Sequence, residues 1–166
     1  MSLLLASLVL GGQKLTGPKI IVNMANGKSF TIQTDAKNAP KTVAGISALV
    51  KKGFYDGQRV HRVVDGFVIQ WGDPKSRNGA DAPGVGSGQN AAPLPFEAGK
   101  LPFTTGVVGI ASTGAGTGGD CQLFVMLGPA DSLNGGYSAM GKVIAGMNVV
   151  MSIQKGDKIL SMKLVK

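Results

Sequence analysis

Cysteine and histidine each occur once in the 166 residues, as Cys121 and His61. A lone cysteine excludes an internal disulfide and a cysteine-based zinc cluster, and a lone histidine excludes a His-rich metal site. It also leaves a serine–histidine–acid hydrolase with one candidate base. Glutamate too occurs once, as Glu97, with no acidic partner close by in sequence. No apolar run approaches the ~20 residues of a membrane-spanning helix. Aromatic residues make up 5% of the chain and charged residues 16%, yet 43% is hydrophobic, which excludes disorder by composition.

Acidic residues are scarce as well: nine, against seventeen Lys and Arg, for a net charge of +8. The basic surplus is fourteen lysines and three arginines (Arg59, Arg62, Arg77), scattered apart from the pair Lys51-Lys52. A nucleic-acid surface clusters its charge and mixes in arginine and aromatics. No specific nucleic-acid partner is therefore expected, and the charge reads as a solvated surface. Gly114 to Gly119 loosely resembles a phosphate loop but lacks the Gly-Lys-Ser/Thr ending.

What is abundant is glycine, 26 residues against a usual ~7%. It follows no three-residue period, so collagen is excluded. So much glycine predicts many tight turns between short strands. The length predicts one domain, placed at 17–166, with 1–16 as an N-terminal extension. Leu3 to Leu10 is almost wholly apolar and is followed by Gly11-Gly12. It reads either as the remnant of a secretory apolar region or as an extra element or boundary segment. The compartment is accordingly open, cytoplasmic or exported.

From Pro18 the pattern is crisp. Strands are predicted at Lys19 to Met24 and Phe30 to Thr34, joined by Asn26-Gly27, a hairpin turn signal. Pro40 opens a helix with Val43, Ile46 and Val50 on one face, and Gly53 follows its end. Arg59 to Val64 and Phe67 to Gln70 flank Asp65-Gly66, a second hairpin. Residues 73–106 lack periodicity, and a loop that long is usually functional. Val107 to Ala111, Gln122 to Leu127, Met140 to Ile144 and Lys158 to Val165 complete the strands, and Met147 to Gln154 reads as a helix. Eight short strands and two helices predict a mainly β fold: a closed eight-stranded antiparallel barrel, because closure removes exposed edges, capped by two α-helices.

The chemistry concentrates at Phe54-Tyr55-Asp56-Gly57 and at His61 through Pro74. Strand alternation puts Arg62 and Val64 on one face, with His61 and Val63 on the other, and Val68 and Gln70 together on the next strand. An arginine and a glutamine thus meet beside apolar side chains. This segment closely resembles the cyclophilin family of peptidyl-prolyl isomerases. Two further blocks follow in the family's order. One is Gly109-Ile110-Ala111-Ser112 through Cys121-Gln122-Leu123-Phe124-Val125. The other is Leu133 through Val143, continued by Gly146 to Val150.

The resemblance runs from about Pro18 to the C-terminus and implies an eight-stranded barrel with two helices. It implies that Arg62 is the catalytic arginine, acting with Phe67 and Gln70. Phe67, Val68, Phe124 and Leu133 would hold a proline ring, Gln70 and Gln122 would bind peptide backbone, and Ala111 and Ser112 would line the groove before the proline. Tyr137 falls where the family usually has a pocket histidine. The implied partners are proline-containing peptides and folding or unfolded proteins, with no metal and no cofactor, and the chain is expected as a monomer. The reaction would be rotation about Xaa–Pro bonds, which breaks no bond and needs no nucleophile.

Four positions depart from the family pattern: Tyr137, Ser112 in place of asparagine, Trp71 in place of glycine, and Ser132 where many members carry tryptophan. The resemblance ties that tryptophan to cyclosporin, so weak cyclosporin binding is expected. Trp71 reads as packing at a strand end or as a rim residue that shapes the substrate. The alternative function is a proline-peptide binding scaffold that has lost catalysis, and Tyr137 and Ser112 are its grounds. His61 reads as a satisfied core or sheet histidine on the face away from Arg62, and Cys121 as a buried, inert thiol.

Overall fold

The computed structural model describes residues 14–87 and 90–165. The apolar run Leu3 to Leu10 lies outside them. Among the described residues, no helix is long and apolar enough to cross a membrane.

Eight strands form one antiparallel sheet: β1 Lys19–Met24, β2 Ser29–Thr34, β3 Arg62–Val64, β4 Val68–Trp71, β5 Val107–Ser112, β6 Gly119–Met126, β7 Ala139–Ala145 and β8 Ile159–Val165. Their spatial order is β3-β4-β6-β5-β7-β2-β1-β8. Two helices, α1 Pro40–Lys51 and α2 Met147–Ser152, complete the fold with short 3-10 turns at Pro74–Asn78 and Asp131–Leu133.

Alternation explains the core. Ile20, Val22 and Met24 of β1 and Phe30 and Ile32 of β2 point inward. They meet Ile69 and Trp71 of β4, Leu123 and Val125 of β6, and Val43, Ile46 and Val50 of α1 in one buried cluster. Trp71 is fully buried, its ring edge-on to Phe30 at 6.1 Å and its indole N–H aimed at the Met162 sulfur at 3.4 Å. Of its two readings, packing holds and the rim role does not. Cys121 is also buried, and burial drives its thiol far above the ordinary range, so it stays un-ionised and inert.

The sheet is not the fully closed barrel expected. Its edge strands β3 and β8 do not pair with each other. Strand β3 is three residues long because the chain before it serves the opposite edge. Gly57 and Val60 donate to the carbonyls of Ile159 and Asp157, and Ile159 and Gly156 donate to those of Gln58 and Val60. Arg59 and Val60, expected as strand, therefore face the opposite edge rather than extend β3, while His61 still donates to Gln70 on β4. Helix α2 is also shorter than expected, since Ile153 turns to an extended conformation.

Helix α1 has Ala39 at its N-cap, which offers no side-chain cap, and Pro40 in its first turn. Glu97 does the capping from the long loop. The Lys41 and Thr42 backbone N–H groups donate to its carboxylate at 3.1 and 2.8 Å, and the Thr42 hydroxyl donates at 2.7 Å. Burial works to raise the Glu97 carboxyl, but these hydrogen bonds prevail and hold it below its ordinary value. A carboxylate depressed in the folded state stabilises fully above its unfolded value, and the effect disappears as pH falls through the folded value. Glu97→Ala is therefore expected to cost about 1–2 kcal/mol at pH 7, as for loss of an N-cap. The gap to wild type in urea melts should narrow below the unfolded glutamate value of ~4.3; a gap that is equal at pH 7 and pH 3 contradicts the charged cap.

Candidate active site

The β3–β4 hairpin turns at Asp65-Gly66, where Gly66 adopts φ 69°, a left-handed geometry that glycine takes without strain. The turn fixes the register: Arg62 lies opposite Gln70, and Val64 opposite Val68. On the next strand Gln70 pairs with Phe124 and Val68 with Met126. Period-2 alternation then gathers Arg62, Gln70, Val68, Phe124 and Gln122 on one face, opposite the core face of Ile69, Trp71, Leu123 and Val125.

That face carries a second apolar cluster of Val68, Phe103, Val107, Phe124, Met126 and Ala139, with Phe67, Ala111, Leu133 and Tyr137 packed against it. Phe103 stacks on Phe124 with ring centroids 5.6 Å apart. Gly109 pairs with Phe124 in the ladder. A Cβ at Gly109 would overlap the Phe124 ring and come within 2.9 Å of Phe103. Glycine at that position is what lets the ring lie flat as the floor.

One cavity of about 220 Å³ opens above this floor, lined by Arg62, Phe67, Val68, Gln70, Ala111, Ser112, Phe124, Leu133 and Tyr137. Nine of the ten site residues expected from the sequence thus converge on a single hollow. Gln122, the tenth, is buried beside it and lines an adjoining hollow of about 460 Å³ that shares Gln70, Ala111 and Ser112. Leu133 and Tyr137 arrive on the 131–137 loop. That loop is pinned because Phe103 donates its N–H to Asn134 Oδ1 at 2.7 Å, and Ala130 donates back to the Phe103 carbonyl at 2.8 Å. Between Ile110 and Ser112 the β5–β6 register shifts, which frees the end of β5 to line both hollows.

A polar chain crosses the site. Arg62 Nη1 donates to Gln70 Oε1 at 3.2 Å, and Gln70 Nε2 donates to Gln122 Oε1 at 2.8 Å. The Arg62 guanidinium also lies 5.8 Å from the Phe67 ring centroid. The charge is thus held over an apolar slot by one amide and one ring face, and among the described residues the rest of its fork makes no further hydrogen bond. A fork that stays charged and presents several donors suits an acceptor that develops during reaction.

Sequence reasoning missed Phe103, Gly109 and the second wall formed by Pro93 and Leu94. Phe103, Pro93 and Leu94 sit in the aperiodic stretch 73–106, where no repeat marks a contact. Leu94 is strapped across the start of β6 by its N–H to the Gly119 carbonyl at 2.8 Å. His61 departs from the expected satisfied core histidine. Its backbone N–H donates to the Gln70 carbonyl at 3.1 Å, but neither buried ring nitrogen makes a hydrogen bond of standard geometry.

Comparison with known proteins accords with this geometry. The family model for cyclophilin-type peptidyl-prolyl cis-trans isomerases matches residues 19–165. A probable peptidyl-prolyl cis-trans isomerase of Brucella abortus is 44% identical over 124 residues, covering 72% of this chain and 63% of its own length. The chain thus spans under two thirds of that relative. A peptidyl-prolyl cis-trans isomerase of Synechococcus elongatus is 36% identical over 139 residues, covering 82% of this chain and 90% of its own. In fold, the crystal structure of a Cryptosporidium parvum cyclophilin-type isomerase superposes with a TM-score of 0.76 at 22% identity, over 90% of this chain and 98% of that one.

Proposed function

The chain belongs to the cyclophilin-type peptidyl-prolyl cis-trans isomerase family, and on that premise we propose that it accelerates rotation about Xaa–Pro bonds in peptides and folding proteins. The observation that carries this reading is the single hollow in which an apolar floor lies directly beneath a guanidinium fork. Residues 17–166 are its working unit, and the monomer is its working form.

The barrier to overcome is ~18–20 kcal/mol, set by the resonance of the planar amide. At the twisted geometry conjugation is lost and the nitrogen lone pair becomes an acceptor. The ring of the proline rests among Phe67, Val68, Phe124, Leu133 and Tyr137. The free donors of Arg62 meet the localised lone pair, an interaction absent in either planar isomer. Interactions made only at the transition state are the ones that raise the rate. Gln70 holds Arg62 in place and Gln122 holds Gln70, while Ala111 and Ser112 border the path of the residues before the proline. Withdrawing the amide from water strengthens the contact. Tyr137 keeps an amphipathic wall where the family has histidine, so activity is retained though altered.

The reading predicts that a catalytic amount of the chain shortens the slow, proline-limited phase of a refolding protein, a phase of ~10–100 s when uncatalysed. A slow phase that is unchanged at one tenth molar equivalent contradicts it. Ser132, exposed on the 3-10 turn beside Leu133, offers no aromatic surface to cyclosporin. Micromolar or weaker inhibition is expected, and nanomolar inhibition contradicts the assignment of that position.

A further inference from the structure

We infer that the larger hollow beside the proline slot selects a lysine or arginine side chain two or three places before the proline, with the Asp120 carboxylate as its specificity-determining group. The inference rests on the reading of the smaller hollow as the seat of the proline ring.

The two hollows adjoin and share Gln70, Ala111 and Ser112. A peptide whose proline rests over Phe124 therefore runs its preceding residues past the larger one. That hollow, about 460 Å³, has apolar sides from Pro93, Leu94 and Ala111. Among the described residues, Asp120 is the only charged group that lines it. Lysine and arginine fit such a space, because each carries a cationic tip on an apolar stem. The wall is set before a peptide arrives. Leu94 lies directly on Gly118, where a Cβ would overlap the Leu94 carbonyl, and its N–H donates to the Gly119 carbonyl at 2.8 Å. A preformed wall spares the peptide the cost of ordering it.

Asp120, near the start of β6, is 7% exposed. Its Oδ2 accepts from the backbone N–H groups of Asn90 at 2.6 Å and Ala91 at 3.1 Å, and its Oδ1 from that of Cys121 at 2.6 Å. A carboxylate offers about four acceptor sites, so one stays open. The three donors are neutral and leave the charge uncancelled. Among the described residues the one ion pair is Lys155–Asp81, so no lysine or arginine of the chain serves Asp120. Behind the same wall, the fully buried Asp73 accepts from the Gly86 N–H at 2.8 Å and also lacks an ion pair. The field is felt nearby: burial first and the Asp120 charge second keep the proton on the Cys121 thiol. A buried carboxylate without a counter-charge is unfavourable. A cation brought in by the peptide supplies that charge and a strong hydrogen bond, whereas a glutamate in its place meets repulsion. The net charge of +8 acts in the opposite sense, since it draws acidic peptides from a distance. A preference for cations must therefore come from the hollow itself.

The test compares kcat/KM for end-blocked alanine peptides with one proline that carry Lys, Gln or Glu at the second or the third residue before it. Wild type is expected to favour Lys over Gln by roughly tenfold at one of these positions, the effect of one hydrogen bond to a charged group, and to rank Glu last. Asp120→Asn keeps the shape and loses the charge, so its Lys-to-Glu ratio should fall to about one, whatever its absolute rate. In parallel, the Lys peptide titrated into wild type should shift the amide NMR resonances of Asn90, Ala91 and Cys121, the donors to Asp120, and the Gln peptide should leave them in place. Equal rates for the three peptides overturn the inference, as does a preference for Glu. So does a ratio that is unchanged in folded Asp120→Asn. If that variant does not fold, the wild-type titration decides, and equal shifts with the Lys and Gln peptides overturn the inference. Absence of catalysis on every peptide would instead remove the isomerase reading, and the same titration would still decide whether the hollow selects a cation.

Discussion

Arg62→Ala is expected to fold like wild type and to lose most of its isomerase rate. Arg62 is exposed on a three-residue edge strand, and it gives up one hydrogen bond, to Gln70, and one ring contact, to Phe67. Surface changes of this kind shift stability by ~0.5 kcal/mol or less. The rate is another matter, because among the described residues the fork is the only charged group lining the apolar hollow. Removing a fixed donor from a developing acceptor costs roughly 10²–10³ in rate. The apolar floor stays intact, so peptide binding should fall far less than turnover. Arg62→Lys keeps the charge but not the fork and should fall between the two. Rates in a tetrapeptide isomerisation assay, with urea melts as the stability control, measure this. Equal rates for wild type and Arg62→Ala would remove Arg62 from the mechanism.

The largest stability effect is expected at Trp71. Its side chain is wholly buried between Phe30, met edge-on, and Met162, whose sulfur faces the indole N–H. It sits on β4 directly after the cavity-lining Gln70, so its loss would loosen the strand that carries Val68 and Gln70. Truncating a buried aromatic costs about 3–5 kcal/mol, against a total that is typically ~5–15 kcal/mol. Trp71→Ala should therefore be severely destabilised or fail to accumulate. Trp71→Phe, which keeps most of the volume, should lose clearly less. A Trp71→Ala urea midpoint within error of wild type would contradict the core placement.

What was legible in the sequence was local. Alternation over Lys19–Met24 and Phe30–Thr34 and the glycines after Asn26 and Asp65 located strands and turns, because period and turn chemistry are written within a few residues. The face shared by Arg62, Val68 and Gln70 followed from the same arithmetic. The convergence of Phe124, Leu133 and Tyr137 on it did not, and came from the family resemblance. What stayed hidden depends on contacts between distant segments. Glu97 caps a helix that begins 57 positions earlier in the chain, and nothing near Glu97 or Pro40 announces the pairing. The open seam was hidden for the same reason: Arg59 and Val60 read as the start of a strand, but the stretch 57–60 bonds to 156–159 instead. Trp71 could be read two ways because a strand-end aromatic fits the core or the rim equally, until its partners are known.

The central claim is that this hollow catalyses rotation and does not merely bind proline. The most direct measurement is the cis–trans exchange rate of an Ala-Pro tetrapeptide, followed by exchange NMR with the wild-type chain at one hundredth of the peptide concentration. The account predicts exchange far faster than the uncatalysed tens of seconds, with shifts at Phe67, Val68, Phe124 and Tyr137 showing where the peptide sits. Those same shifts with an exchange rate equal to that of free peptide would contradict it, and would leave a proline-binding scaffold in its place.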